Sequence, residues 1–131
     1  MKRTVAVDLD GTLASYDGKE TIDYDPSIIG PPVPKMVERV KRWLARGDKV
    51  VIFTARMHPK HGLEKIKIAE EAIKTWCMWV FGRELEVTCM KDPEIREFYD
   101  DKAIGVERDT GKLIGVDESE STGDAIGDFL R

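Results

Sequence analysis

The stretch VAVDLDGTLAS, Val5 to Ser15, decides how the rest of the chain is read. A short apolar run leads directly into two acids at alternate positions, Asp8 and Asp10, and then into Gly11. A run of this length, bounded by charge on one side and glycine on the other, suits a strand buried on both faces, as in a parallel sheet. Both carboxylates then stand at the strand's C-terminal end. Alternate strand positions point to opposite faces, so the two acids need not share a task. Gly11 lets the chain turn, so that backbone N–H groups and both side chains surround one point.

Downstream, residues 14 to 34 are rich in Gly, Pro, Asp and Tyr without a sustained period and read as an ordered loop or small flap. Tyr16 and Tyr24 are its candidates either for covering a site or for packing into the core. Pro34 opens a helix in which Met36, Val37, Val40, Trp43 and Leu44 recur at helical spacing, and Gly47 closes it. KVVIFT, Lys49 to Thr54, is a second buried strand, followed by Ala55-Arg56 and the polar segment MHPKHG. A second helix is expected from Leu63 to Phe81, with Leu63, Ile66, Ile73, Trp76 and Val80 on one side and Gly82 as its stop. Trp43, Trp76 and Trp79 all fall at core spacing. LEVTCM, Leu85 to Met90, is a third strand with Lys91 at its end, and Asp92-Pro93-Glu94 has the form of a helix N-terminus. Phe98-Tyr99 then leads into Asp100-Asp101, and a hairpin is expected around Arg108 to Gly111. The acidic stretch from Asp117 has little to bury. The expected organisation is one domain over residues 1–116 and a tail over 117–131.

Strand alternating with helix implies a doubly wound, mainly parallel α/β sheet of Rossmann-like form, with helices on both faces. Ligands bind such sheets outside the carboxyl ends of the strands. The polar residues at those ends are Asp8 and Asp10, Thr54, Lys91, and Asp100 with Asp101. Carboxylates gathered in one crevice repel, and one lysine cannot neutralise them, so a cation is the natural complement. Oxygen ligands alone select a hard ion, most simply Mg²⁺, completed by water and substrate phosphate. Between Asp100 and Asp101 the sequence leaves open which is the direct ligand. No GxxxxGK[ST] loop is present, which argues against a nucleotide-triphosphate kinase.

The 131 residues carry a formal charge of -4, so no basic field draws in nucleic acid over long range. Arg56, Lys60, Lys65 and Lys67 could follow a nucleic-acid backbone, although Glu64, Glu70 and Glu71 lie among them; nucleic acid is thus one candidate partner. Arg56 can fork onto a phosphate or sit in a surface ion pair, and the two readings weigh equally. His58 and His61 read as solvated loop residues. The two cysteines, Cys77 and Cys89, lack metal-ligand spacing and read as reduced, buried thiols. No stretch approaches the ~18 apolar residues of a membrane span, and no signal-peptide core follows Met1, so a cytoplasmic protein is expected.

Taken together, Asp8-Leu9-Asp10-Gly11-Thr12-Leu13, Thr54 after Val50 to Phe53, Lys91, and Asp100-Asp101 resemble the four ordered motifs of the haloacid dehalogenase (HAD) superfamily. The resemblance spans residues 4 to 106. It implies a Mg²⁺-dependent phosphomonoester hydrolase working through an aspartyl-phosphate, with Asp8 as nucleophile and Asp10 as general acid and then base. It further implies that Thr54 and Lys91 hold the phosphoryl oxygens and that Asp100 or Asp101 is the metal ligand; on the residues' own chemistry the Leu9 amide is a further donor to the phosphoryl group, Arg56 a candidate anion ligand, and Asp8 and Asp10 stand with Asp100 and Asp101 around the metal. Neither gap between motifs has room for a cap domain, so an open site is expected, of the kind that goes with large or extended substrates. The alternative is a non-catalytic module that keeps the fold and metal site for recognition of a phosphate or a partner.

Overall fold

The computed structural model describes residues 2–16 and 24–117. The chain divides into two compact units, Met1–Asp101 and Lys102–Arg131. In the first unit the elements run β1 (Thr4–Val7), α1 (Pro34–Ala45), β2 (Lys49–Phe53), two single 3₁₀ turns (Ala55–Met57 and Pro59–His61), α2 (Leu63–Phe81), β3 (Glu86–Thr88) and β4 (Ile95–Tyr99). The four strands form one parallel sheet in the order β3-β2-β1-β4. The second unit contains a small antiparallel hairpin, β5 (Gly105–Val106) with β6 (Leu113–Ile114), so the expected hairpin belongs to this unit.

Each element follows from local chemistry. Pro34 stands in the first turn of α1, where its missing N–H costs nothing. Gly82 caps α2 in the left-handed conformation, and its N–H reaches the carbonyl of Met78. Val37, Val40 and Trp43 of α1 and Ile73, Trp76 and Cys77 of α2 enter one core with Val5, Val7, Val50, Ile52 and Val87. Val5 is the register partner of Val50, Val7 of Ile52, and Ile52 of Val87, so these strand residues share one face of the sheet. Both helices therefore cover the same face. The opposite face carries Ala6, Val51 and the edge-to-face pair Phe53 and Phe98, whose ring centroids are 5.3 Å apart.

Three expectations are corrected here. Among the described residues the second face has no helix: Met90, Lys91, Asp92 and Glu94 line a recess there with Thr4, Lys49, Val51, Glu86 and Thr88. Asp92 does not open a helix. Its side chain instead accepts from the Glu94 amide at 2.8 Å and its carbonyl from Ile95 at 3.0 Å, making a turn that feeds β4. The segment becomes a strand because Phe98 and Tyr99, on opposite faces, pack against Phe53 and Trp43 respectively. Finally, Leu63 and Trp79 are 87% and 74% exposed, because the buried stripe of α2 runs through Ala69, Ile73, Trp76 and Cys77 and leaves both outside it.

Cys77 is buried and Cys89 half-buried, both as free thiols, and burial pushes the Cys77 thiol up to about 11. Asp48, the last residue before β2, is the main buried charge of the fold. Its carboxylate accepts from Arg46 Nε at 2.6 Å and Arg3 Nε at 3.2 Å, and Arg3 also pairs with Glu97 of β4. Burial pushes the Asp48 carboxyl up, but the hydrogen bonds from Arg46 and Arg3 outweigh it and hold the group below its usual range.

Two stability outcomes follow. Ile73→Ala is expected to lower the unfolding free energy by about 2–5 kcal/mol, read as a shift of the denaturant midpoint at unchanged slope. Because the folded carboxyl of Asp48 titrates below the unfolded one, its contribution is complete above about pH 4 and fades as pH falls through the folded value. The midpoint difference between wild type and Asp48→Asn should accordingly be full at neutral pH and close on acidification.

Candidate functional site

The site grows from the C-terminal end of β1. Asp8 lies one residue past the strand, and its N–H donates to the carbonyl of Tyr99 at 2.9 Å, which keeps β1 and β4 paired up to the point where both release acids. The chain then turns back tightly. The Leu9 carbonyl accepts from the amides of Thr12, Leu13 and Ala14 at 2.9–3.2 Å, and the Gly11 amide donates to Ala14 at 2.8 Å. Leu9 and Leu13, both fully buried, anchor this turn in the core. Gly11 holds φ +88°, and a Cβ there would sit 2.6 Å from Asp101 Oδ2, so glycine is required both by the backbone and by the neighbouring acid.

Asp8, Asp100 and Asp101 each offer a carboxylate oxygen, all within 4.8 Å of one another. Thr12 ties them together: its hydroxyl lies 3.0 Å from Asp101 Oδ1 and 3.3 Å from Asp8 Oδ2, and it accepts from the Asp101 amide at 3.0 Å. A single hydroxyl hydrogen cannot satisfy two carboxylates at once. The Asp8 carboxyl is pushed up to about 7, first by burial, then by its hydrogen bond with Asp101 and the charges of Asp100 and Asp101, with Thr12 opposing. A hard divalent cation fits such a gathering of oxygen donors.

The structure sorts the expected residues differently from the sequence. Asp10 is absent from this cluster, because Arg56 holds it in a two-pronged pair, Nε to Oδ2 and Nη2 to Oδ1, both at 2.8 Å. Arg56 is thus in an ion pair, one of the two roles weighed for it, but with its side chain only 11% exposed rather than on the surface. Thr54 is buried just past β2, next to β1 in the sheet; its Oγ1 accepts from the Arg56 amide at 3.1 Å, and no acceptor holds its own hydrogen among the described residues. Lys91 is not brought to the acids. It is exposed, its Nζ stands 5.4 Å from the Phe98 ring centroid, and it lines the recess on the helix-free face. His58 accepts from the Lys60 amide through Nδ1, and His61 packs against Tyr24 with centroids 5.0 Å apart. The expected flap falls partly on residues 17–23, which lie outside the described residues.

Two residues carry more than the sequence suggested. Thr12 stands inside the first motif but had no assigned task, and its place directly after Asp10-Gly11 was the available signal. Tyr24 receives Arg56 Cζ at 5.6 Å and Lys65 Nζ at 5.9 Å from its ring centroid. No local pattern announces that contact, because it joins segments more than thirty residues apart.

Geometry defines the class: a Rossmann-like α/β protein with an acidic cluster at the carboxyl ends of its strands. No protein-family model matches the chain, and no curated protein does. A solved structure described as a conserved protein from Bacteroides thetaiotaomicron is similar in fold, with 23% sequence identity over 79% of this chain and 78% of that one and a TM-score of 0.52. No helix among the described residues is long and apolar enough to cross a membrane.

Gly11→Ala should cost about 1–3 kcal/mol from the left-handed backbone alone. Displacement of Asp101 comes in addition, so divalent-cation binding followed by calorimetry should weaken along with the thermal midpoint.

Proposed function

We propose that this chain is a Mg²⁺-dependent phosphomonoester hydrolase of the small capless HAD type, forming a covalent phosphoryl intermediate on Asp8. The observation that carries the reading is the convergence of Asp8, Asp100 and Asp101 on one point at the ends of adjacent strands, with Thr54 just past the end of β2, the next strand. Asp8, Asp100 and Asp101 would hold the ion, which when bound offsets the repulsion between Asp8 and an incoming phosphate.

The chain's own residues account for the remaining chemistry. An Asp8 oxygen attacks phosphorus as the bond to the alcohol oxygen breaks, and Asp10 delivers a proton to that oxygen. Water then attacks the phosphoryl-aspartate, Asp10 takes its proton, and phosphate leaves with Asp8 restored. The Thr54 hydroxyl, whose hydrogen is uncommitted, donates to a phosphoryl oxygen, with the Leu9 amide as a further donor. The positive charge expected from Lys91 is supplied near Asp10 by Arg56 instead.

One observation favours the second reading, a non-catalytic phosphate- or partner-binding module: both Asp10 oxygens are occupied by Arg56, so Asp10 must part from the guanidinium before it can move a proton. Phosphate release from a panel of phosphomonoesters decides between the two. We expect release that requires Mg²⁺, disappears in EDTA and in Asp8→Asn, and falls about 10²–10⁴-fold in Asp10→Asn. Cation binding without release from any ester would favour the module.

A further inference from the structure

The cluster around Tyr24 has more hydrogen-bond donors than acceptors. Arg56 spends Nε and Nη2 on Asp10, while among the described residues its Nη1 donates to the Pro26 carbonyl at 3.4 Å, the long limit of such a bond. Lys65 Nζ lies 5.9 Å from the centroid of the same ring and has no carboxylate within ion-pair distance among the described residues. The Tyr24 hydroxyl is buried beside the Arg56 guanidinium and makes no hydrogen bond of good geometry among the described residues. The neighbouring acid, Asp25, is already used, accepting from the amide and hydroxyl of Ser27 at 2.9 and 2.6 Å. Three donors on one side of Asp10 thus lack a good acceptor, and a buried hydroxyl left in that state is costly unless a ligand completes it.

From this surplus we infer that Tyr24, Arg56 and Lys65 form the subsite for the alcohol portion of the substrate, and that this portion carries an anionic group of its own. The inference rests on the phosphomonoesterase reading above. Asp10 sets the side: the residue that protonates the departing oxygen must face the departing alcohol, and Arg56 is bonded to that residue. An oxyanion on the alcohol would accept from Lys65 Nζ, Arg56 Nη1 and the Tyr24 hydroxyl, both cations lying within 6 Å of the Tyr24 ring centroid. It would also compete with Asp10 for the guanidinium, which couples recognition of the correct substrate to release of Asp10 for proton transfer.

The test compares three esters with Mg²⁺ present: glycerol 3-phosphate, whose alcohol is neutral, 3-phosphoglycerate, which adds a carboxylate, and glycerol 1,3-bisphosphate, which adds a phosphate. The expected result is a kcat/KM at least about tenfold higher for one or both anionic esters. Which of them gains tells carboxylate from phosphate recognition. Tyr24→Phe keeps the ring and removes only the hydroxyl, Lys65→Met keeps the stem of an exposed side chain, and each should shrink that ratio. Equal kcat/KM across the three esters, or a ratio that survives both substitutions, overturns the subsite while leaving the phosphatase reading intact. No release from any ester overturns both.

Discussion

The hydrogen bond from the Asp8 amide to the Tyr99 carbonyl holds the site together. It extends the pairing of β1 and β4 one step beyond their last register partners, Val7 and Tyr99, so two chain segments more than ninety residues apart release their acids at the same height. Thr12 and Gly11 then work within a distance that the backbone has already set, the first by linking two carboxylates and the second by leaving room for one. The core supports this from below, because Leu9 and Leu13 pin the turn from within.

Charge is partitioned at the strand ends. Three carboxylates are left facing each other, and the fourth, Asp10, is withdrawn by a guanidinium. Pairing and crowding have opposite effects on an acid: a cationic partner favours its charged form, whereas neighbouring carboxylates disfavour it. The same sheet end therefore gathers three carboxylates that could hold an ion and, beside them, a carboxylate paired with Arg56. That separation is what two acids at alternate positions of the turn after one strand make available.

Much of this was legible in the residues. The apolar runs into Asp8 and Thr54, the Pro34 and Gly82 boundaries and the closing Asp100-Asp101 are local signals, and local signals survive folding. The bidentate capture of Asp10 was not legible, since an arginine two residues past a strand forks equally well onto a substrate or onto an acid from another strand. Lys91 follows β3 as read, but only the side chain's cation-π contact with Phe98 shows where its charge rests. β4 was hidden because Asp-Pro-Glu serves equally as a helix start and as a turn, and the choice was made by aromatic packing from other elements. Trp79 misled for a simpler reason: spacing three residues from a buried tryptophan places a side chain on the margin of the stripe, and the margin here faces water.

β4 ends the sheet on one side, and its middle residues Arg96 and Glu97 are exposed. Consecutive charges of opposite sign on an outer strand make it a poor template for another strand, because an added chain would have to bury or mismatch one of them. At the other side β3 is only three residues long and begins with Glu86, paired to Lys49 at 3.5 Å. A sheet with one helix-covered face would otherwise invite edge-to-edge growth into aggregates. Short length on one border and mixed charge on the other keep these four strands from recruiting a fifth.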